Sequence, residues 1–212
     1  ILSIKTPPIL LFVKGSPHAL LGDSALAVVG TRNPSATGSA FTKKIIPVLV
    51  ENNVCVVSGL ALGCDTLAHE AALMHHGKTV AVLAHGLDTI YPSQNARLAG
   101  RITSSGGCLV SEHPPGVGPE RYRFVERNRI QSGLSSGVIV IESEEAGGTM
   151  HTARFCLEQS KPIACMAPAI PAMTGNVKLL RDGAFPVRNE GEALEFLRIN
   201  KLVTLKRDDS LR

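Results

Sequence analysis

The chain of 212 residues carries a net charge of +4, with 44% hydrophobic and 19% charged residues, which is ordinary globular composition with room for one well-buried core. No apolar run approaches a membrane span and no signal peptide is visible, so the expected setting is the cytoplasm, without membrane contact. The mild basicity is compatible with nucleic acid without establishing it, and five cysteines with no CxxC pair read as small buried hydrophobes in a reducing compartment. The chain opens on Ile1 rather than Met, as a trimmed fragment would.

Residues 1–21 are expected to form a lead-in segment with a short strand ending in a Gly-Ser-Pro turn. Residues 22–198 are expected to form one domain, and 199–212 a tail or linker. The first core strand, Leu26-Ala27-Val28-Val29, ends on Gly30 and is followed by Thr31 and Arg32. A helix is predicted over 36–51, with Pro47 kinking or interrupting it. A strand that runs through a Gly turn into a helix N-terminus makes an anion site, and Arg32 adds a fork suited to phosphate. The second strand, 54–59, contains Ser58 and Gly59. Asp65 is expected to cap a helix over 66–76.

A third strand follows at 79–83, then a helix over 93–104, a fourth strand at 106–112 and a stiff Pro-rich loop at 113–119. The segment 120–129 holds Arg121, Arg123, Arg127 and Arg129, with Tyr122 and Phe124 interleaved. In extended form this alternation puts arginines on one face and rings on the other, which suits phosphates and unpaired bases. A short helix is expected over 127–134. The fifth strand spans 137–142, and Gly147-Gly148-Thr149 opens a helix from 150 to 159, where glycine lets a ligand approach the backbone. A sixth strand at 162–166 and helices at 177–181 and 191–197 complete the pattern. Alternating apolar strands and helices mean an α/β fold: an extended Rossmann-like, doubly wound, mostly parallel sheet with helices on both faces and ligands at the carboxyl ends of its strands.

The dinucleotide fingerprint is missing after Gly30, and no acid ends the second strand to hold a ribose, so a nicotinamide cofactor is not expected. Gly77-Lys78-Thr79 lies between helix and strand, the wrong order for a P-loop. His69-Glu70 lacks the second histidine of a zinc protease helix, and no metal-ligand spacing appears among Cys and His. Neither a metal nor another cofactor is expected.

Taken in order, Val28-Val29-Gly30-Thr31-Arg32, then residues 57–65 with Ala68-His69, Gly86-Leu87-Asp88 to Tyr91-Pro92, Ser111-Glu112-His113-Pro114-Pro115-Gly116, Phe124 with Arg127-Asn128-Arg129-Ile130, and Thr152-Ala153-Arg154 resemble the bacterial DNA-processing protein A (Smf) family over about residues 8–197. The resemblance implies a Rossmann-like domain that binds single-stranded DNA, a homodimer, and handoff of the strand to the RecA recombinase in natural transformation. It implies a non-enzymatic role, with Arg32 as a phosphate ligand, Arg121 as a basic contact and Phe124 as a stacking ring. Gly30, Thr31, Gly38, Ser58 and Gly59 would belong to the same nucleic-acid site. So would Arg123, Arg127, Asn128, Arg129, Gly147, Gly148 and Thr149, with contact and scaffold both open for Arg127 and Arg129. The sequence departs from the family pattern at Ser93, where many members carry Lys, at Val125, at Gln131-Ser132 and at 146–149. The alternative is a sensor or hydrolase of nucleoside monophosphates, whose Gly-Gly-x-Gly-Thr loop the segment 147–149 superficially resembles, with Glu142 and Glu144 as candidate acids.

Overall fold

The computed structural model describes residues 4–20, 24–167 and 173–203. The tail from 204 onward lies outside them. Eight strands form one sheet: β1 (Phe12–Gly15), β2 (Ala25–Val29), β3 (Cys55–Ser58), β4 (Thr79–Val82), β5 (Cys108–Ser111), β6 (Val138–Val140), β7 (Ile163–Met166) and β8 (Phe185–Val187). Their order across the sheet is β1-β5-β4-β3-β2-β6-β7-β8, and every pairing is parallel except that of β1 with β5. The helices are α1 (Ala36–Glu51), α2 (Cys64–Met74), α3 (Ala96–Ser104), α4 (Arg121–Leu134), α5 (Gly148–Glu158), α6 (Thr174–Arg181) and α7 (Glu190–Ile199).

The two faces of β2 show why the strands read as continuous apolar runs. Leu26 and Val28 pack with Ile139 and Ile141 against α1, α2 and α7, whereas Ala27 and Val29 pack with Val138 and Val140 against α5 and α6. Successive residues point to opposite faces and both faces are covered. This is the doubly wound architecture expected. From β2 the chain builds outward through β3 and β4 to β5, then returns to place β6 on the other side of β2. That reversal opens a crevice at the carboxyl ends of β2 and β6.

Three local expectations need correction. α1 runs unbroken through Pro47, held by the buried side chains Ile45, Ile46 and Leu49 on either side of it. α2 begins at Cys64 with Gly63 as its N-cap, and Asp65 turns back to accept the N–H groups of Gly59 (3.1 Å) and Ala61 (3.3 Å). β8 had no counterpart in the predicted elements; it is three residues long and contains Pro186, which an edge strand tolerates. Among the described residues, no helix is long and apolar enough to cross a membrane. All five cysteines are free and buried.

His69 on α2 carries a testable consequence of burial. It is fully buried, with Nδ1 2.7 Å from the Thr79 hydroxyl, which itself donates to the Val56 carbonyl. Burial first, and the Arg127 charge second, push its pKa from 6.5 down to about 3. The folded state therefore refuses a proton that the unfolded chain accepts. Stability contributed by the neutral ring is complete above 6.5 and is lost as pH falls toward about 3. Unfolding free energies from urea titrations are expected to fall across this window, by up to about 1.4 kcal/mol per pH unit for this proton. His69→Gln is expected to flatten that slope.

Candidate nucleic-acid interface

A cleft of about 670 Å³ opens at the switch point between β2 and β6. Its floor is Val29, Gly30 and Thr31 at the end of β2, with Ser143 and Glu144 beyond β6. One wall is the first half of α4, with Arg121, Phe124, Val125, Arg127, Asn128 and Gln131; the other is the first turn of α5, with Gly147, Gly148, Thr149 and Thr152. Arg32 and Tyr91 stand at the rim.

The β2 turn is built for close packing. A Cβ on Gly30 would meet the Cys64 side chain, and Gly63, at φ +80°, passes against the Arg32 carbonyl. Thr31 is pinned at both ends: its N–H donates to the Glu142 carbonyl (2.8 Å), and its carbonyl accepts from Cys64 (3.1 Å). Arg32 is thereby launched outward from a rigid turn. Its guanidinium lies 5.8 Å from the centroid of the Phe124 ring. The Tyr91 ring lies tilted against Phe124, with centroids 5.8 Å apart and planes at 52°. Neither Arg32 nor Arg121 has a carboxylate partner among the described residues. Two uncommitted cations and two aromatic rings at one strand edge can take phosphates and stack bases.

The segment 120–129 is not extended. It is the start of α4, so its residues follow a helical period, and the arginines separate into different jobs. Arg121 and Phe124, three residues apart, share the cleft face. Arg123 bonds the Gly118 carbonyl, pairs with Glu120 at 3.3 Å and stacks on Tyr122 at 5.3 Å. Arg129 forms a two-pronged pair with Glu112, at 2.8 and 2.6 Å, outside the cleft lining.

Arg127 turns inward and is 5% exposed. It donates to the carbonyls of Gly59 (2.9 Å) and Val82 at the ends of β3 and β4, and its Nε donates to Asn128 Oδ1 at 3.2 Å. Asn128 in turn donates to the Gly148 carbonyl at 3.2 Å, tying α4 to the first turn of α5. Burial lowers the Arg127 pKa to about 10, against the pull of Asp65, and the neighbouring Arg32 charge lowers it further. Burial also pushes the Asp65 carboxyl upward, against the Arg127 charge and the hydrogen bonds it accepts.

Ten of the fifteen residues assigned to the site from sequence line the cleft: Gly30, Thr31, Arg32, Arg121, Phe124, Arg127, Asn128, Gly147, Gly148 and Thr149. Gly38, Ser58, Gly59, Arg123 and Arg129 lie outside its lining. Ser58 is buried and donates to the Val28 carbonyl at 2.7 Å. Gly59 leaves the space that the Arg127 guanidinium fills, and Gly38 leaves the space that the Glu142 carboxylate fills. Tyr91 was not among the fifteen. Its available signal was an aromatic just past the third strand in a chain with only 4% aromatics.

A family model described as DNA recombination-mediator protein A matches residues 1–198. The chain is 43% identical over 189 residues to protein Smf of Escherichia coli (strain K12), a match covering 88% of this chain and 50% of that protein. It thus spans about half the length of that relative. In three dimensions it is similar to DNA processing protein A of Helicobacter pylori, described for its single-stranded DNA binding mode, with a TM-score of 0.87 and 30% identity over 93% of this chain and 91% of that one. It is also similar to DNA processing protein A (DprA) of Streptococcus pneumoniae, with a TM-score of 0.84 and 38% identity over 91% and 68%. With the match running along nearly the whole sequence and repeated in the fold, the chain belongs to the DNA recombination-mediator protein A family, whose members include the DprA and Smf proteins.

Proposed function

We propose that the cleft binds single-stranded DNA. In this reading the chain is the strand-holding part of a recombination mediator, a binding protein rather than an enzyme. It works as a cytoplasmic homodimer that protects incoming DNA and passes it to the RecA recombinase in natural transformation. The observation that carries the proposal is the Phe124 ring beside both the Arg32 guanidinium and the Tyr91 ring at the mouth of the cleft. A base can stack where the ring is open, while Arg32 and Arg121 hold the phosphates on either side of it. Such a site needs unpaired bases, so a duplex fits it poorly. The single-strand binding described for the Helicobacter pylori protein and the recombination-mediator description of the family support the reading.

Two phosphates held by Arg32 and Arg121 predict a log–log salt slope of about −1.4 for a single strand. Gel shifts with a thymidylate strand and a duplex of equal length, at low and at physiological salt, test this. The strand is expected to bind more tightly at both, with that slope; equal or tighter duplex binding would exclude the proposal. A hydrolase of nucleoside monophosphates would need a free acid near the α5 loop. Of the two candidates, Glu142 is engaged at the start of α1, bonded to Ser35, and Glu144 alone lines the cleft.

A further inference from the structure

Gln131 stands on the cleft face of α4 and is 2% exposed. Its backbone carbonyl accepts the Ser135 hydroxyl at 2.8 Å, but its side-chain amide makes no hydrogen bond among the described residues. Neither amide atom is sealed from solvent, so with the rest of the side chain buried the outlet of the amide is the cleft it lines. Phe124, Asn128 and Gln131 are spaced four and three residues apart and share one helix face. Gln131 is therefore about 10 Å deeper than Phe124 along the helix axis, and helical side chains lean toward the N-terminus, here toward the cleft mouth. The neighbouring polar groups are engaged: Asn128 bridges Arg127 and the Gly148 carbonyl, Arg127 holds the Gly59 and Val82 carbonyls, and the Ser143 hydroxyl donates to the Glu144 carbonyl at 2.9 Å. On the facing wall Thr152 is buried and adds a hydroxyl that can turn to donate or accept. A buried polar group without a partner is rare and costly, and a ligand that supplies the partner removes the cost.

We infer that Gln131 is a specificity-determining residue: its amide hydrogen-bonds the Watson–Crick edge of one base lowered into the cleft beneath Phe124. The inference deepens the proposed single-strand function and rests on it. A primary amide presents a donor beside an acceptor. Every base carries a donor beside an acceptor along that edge: N6 and N1 of adenine, N4 and N3 of cytosine, N1 and O6 of guanine, N3 and O4 of thymine. Turning the amide over about its last bond reverses its own order. Gln131 therefore requires a base with a free edge without requiring any one base. In a duplex that edge is already bonded to the complementary strand. The residue selects unpaired bases by hydrogen bonding, where the Phe124 ring alone would accept any flat apolar surface.

The test uses the full chain and two strands of equal length, thymidylate and its N3-methyl derivative, which keeps the charge and the ring but blocks the edge. The parent is expected to bind the thymidylate strand about tenfold more tightly, as one hydrogen bond to a buried group predicts. Gln131→Met is similar in volume and apolar. It is expected to bind both strands equally, at the parent's affinity for the methylated one. A variant that kept the parent's tenfold difference would overturn the inference, because the methyl group would then be excluded by shape alone. If Gln131→Met does not fold, Gln131→Glu decides. Its carboxylate accepts hydrogen bonds without donating, so its preference for a cytidylate strand, with the N4 amino group, over thymidylate is expected to exceed the parent's by about tenfold. An unchanged ratio would overturn the inference. A parent that binds neither thymidylate strand overturns the proposed function; a parent that binds both equally overturns this inference alone.

Discussion

Arg32→Ala is expected to weaken single-stranded DNA binding by about 30-fold, the equivalent of about 2 kcal/mol for one charge-assisted phosphate contact. The side chain is exposed, it pairs with no carboxylate among the described residues, and it leaves a turn whose backbone is fixed independently by the Glu142 and Cys64 bonds to Thr31. Its removal is therefore expected to change folding stability by less than about 0.5 kcal/mol. The salt dependence gives a second, independent check. Losing one of two phosphate contacts should bring the log–log slope from about −1.4 to about −0.7. Fluorescence anisotropy across a salt series measures both quantities on one variant. Unchanged affinity and slope in a protein that melts normally would mean that the strand does not run past the β2 turn, and the cleft proposal would fall with it.

The strands of the central sheet were visible in the sequence because each is an apolar run between turn residues, and burial on both faces makes such runs continuous. α4 was half hidden for the opposite reason. Its buried face holds Ile130 and Gly133 among the polar residues Arg127, Asn128, Gln131 and Ser132, of which Arg127, Asn128 and Ser132 hydrogen-bond inside the fold. Apolar periodicity registers none of them except Ile130. The alternation of arginines and rings therefore suggested an extended strand, and only the helix shows that Arg121 and Phe124 share a face. The Ser35–Glu142 contact was hidden by distance: the two residues are 107 positions apart and meet because β6 returns beside β2. Chemistry-bearing residue types were legible, but which arginine faces a ligand and which faces the core depended on partners far along the chain.

Arg127 is the sharpest instance of that ambiguity, and its substitution is expected to show up as a loss of stability before any loss of affinity. The guanidinium ties the ends of β3 and β4 together through the Gly59 and Val82 carbonyls, and its charge faces the buried Asp65. Arg127→Ala leaves two carbonyls short of donors and a buried carboxyl without its compensating cation. Leaving buried acceptors without their donor costs about 1–3 kcal/mol each, so a loss of about 3–5 kcal/mol is expected. For a domain of this size that corresponds to a fall in melting temperature of roughly 10 °C. Arg127→Lys keeps a positive charge, but a point charge does not span the two carbonyls and Asn128, so an intermediate loss is expected. Asp65→Asn made together with Arg127→Met should cost less than the two single changes added, because neither charge is then left alone. Urea titrations of these five variants, the two single changes of the pair included, measure this, with the denaturant slope expected to stay at the parent's value. Should Arg127→Ala abolish strand binding while its urea midpoint stays at the parent's, Arg127 would be a direct DNA ligand, and its inward hydrogen bonds would not be what holds the cleft in shape.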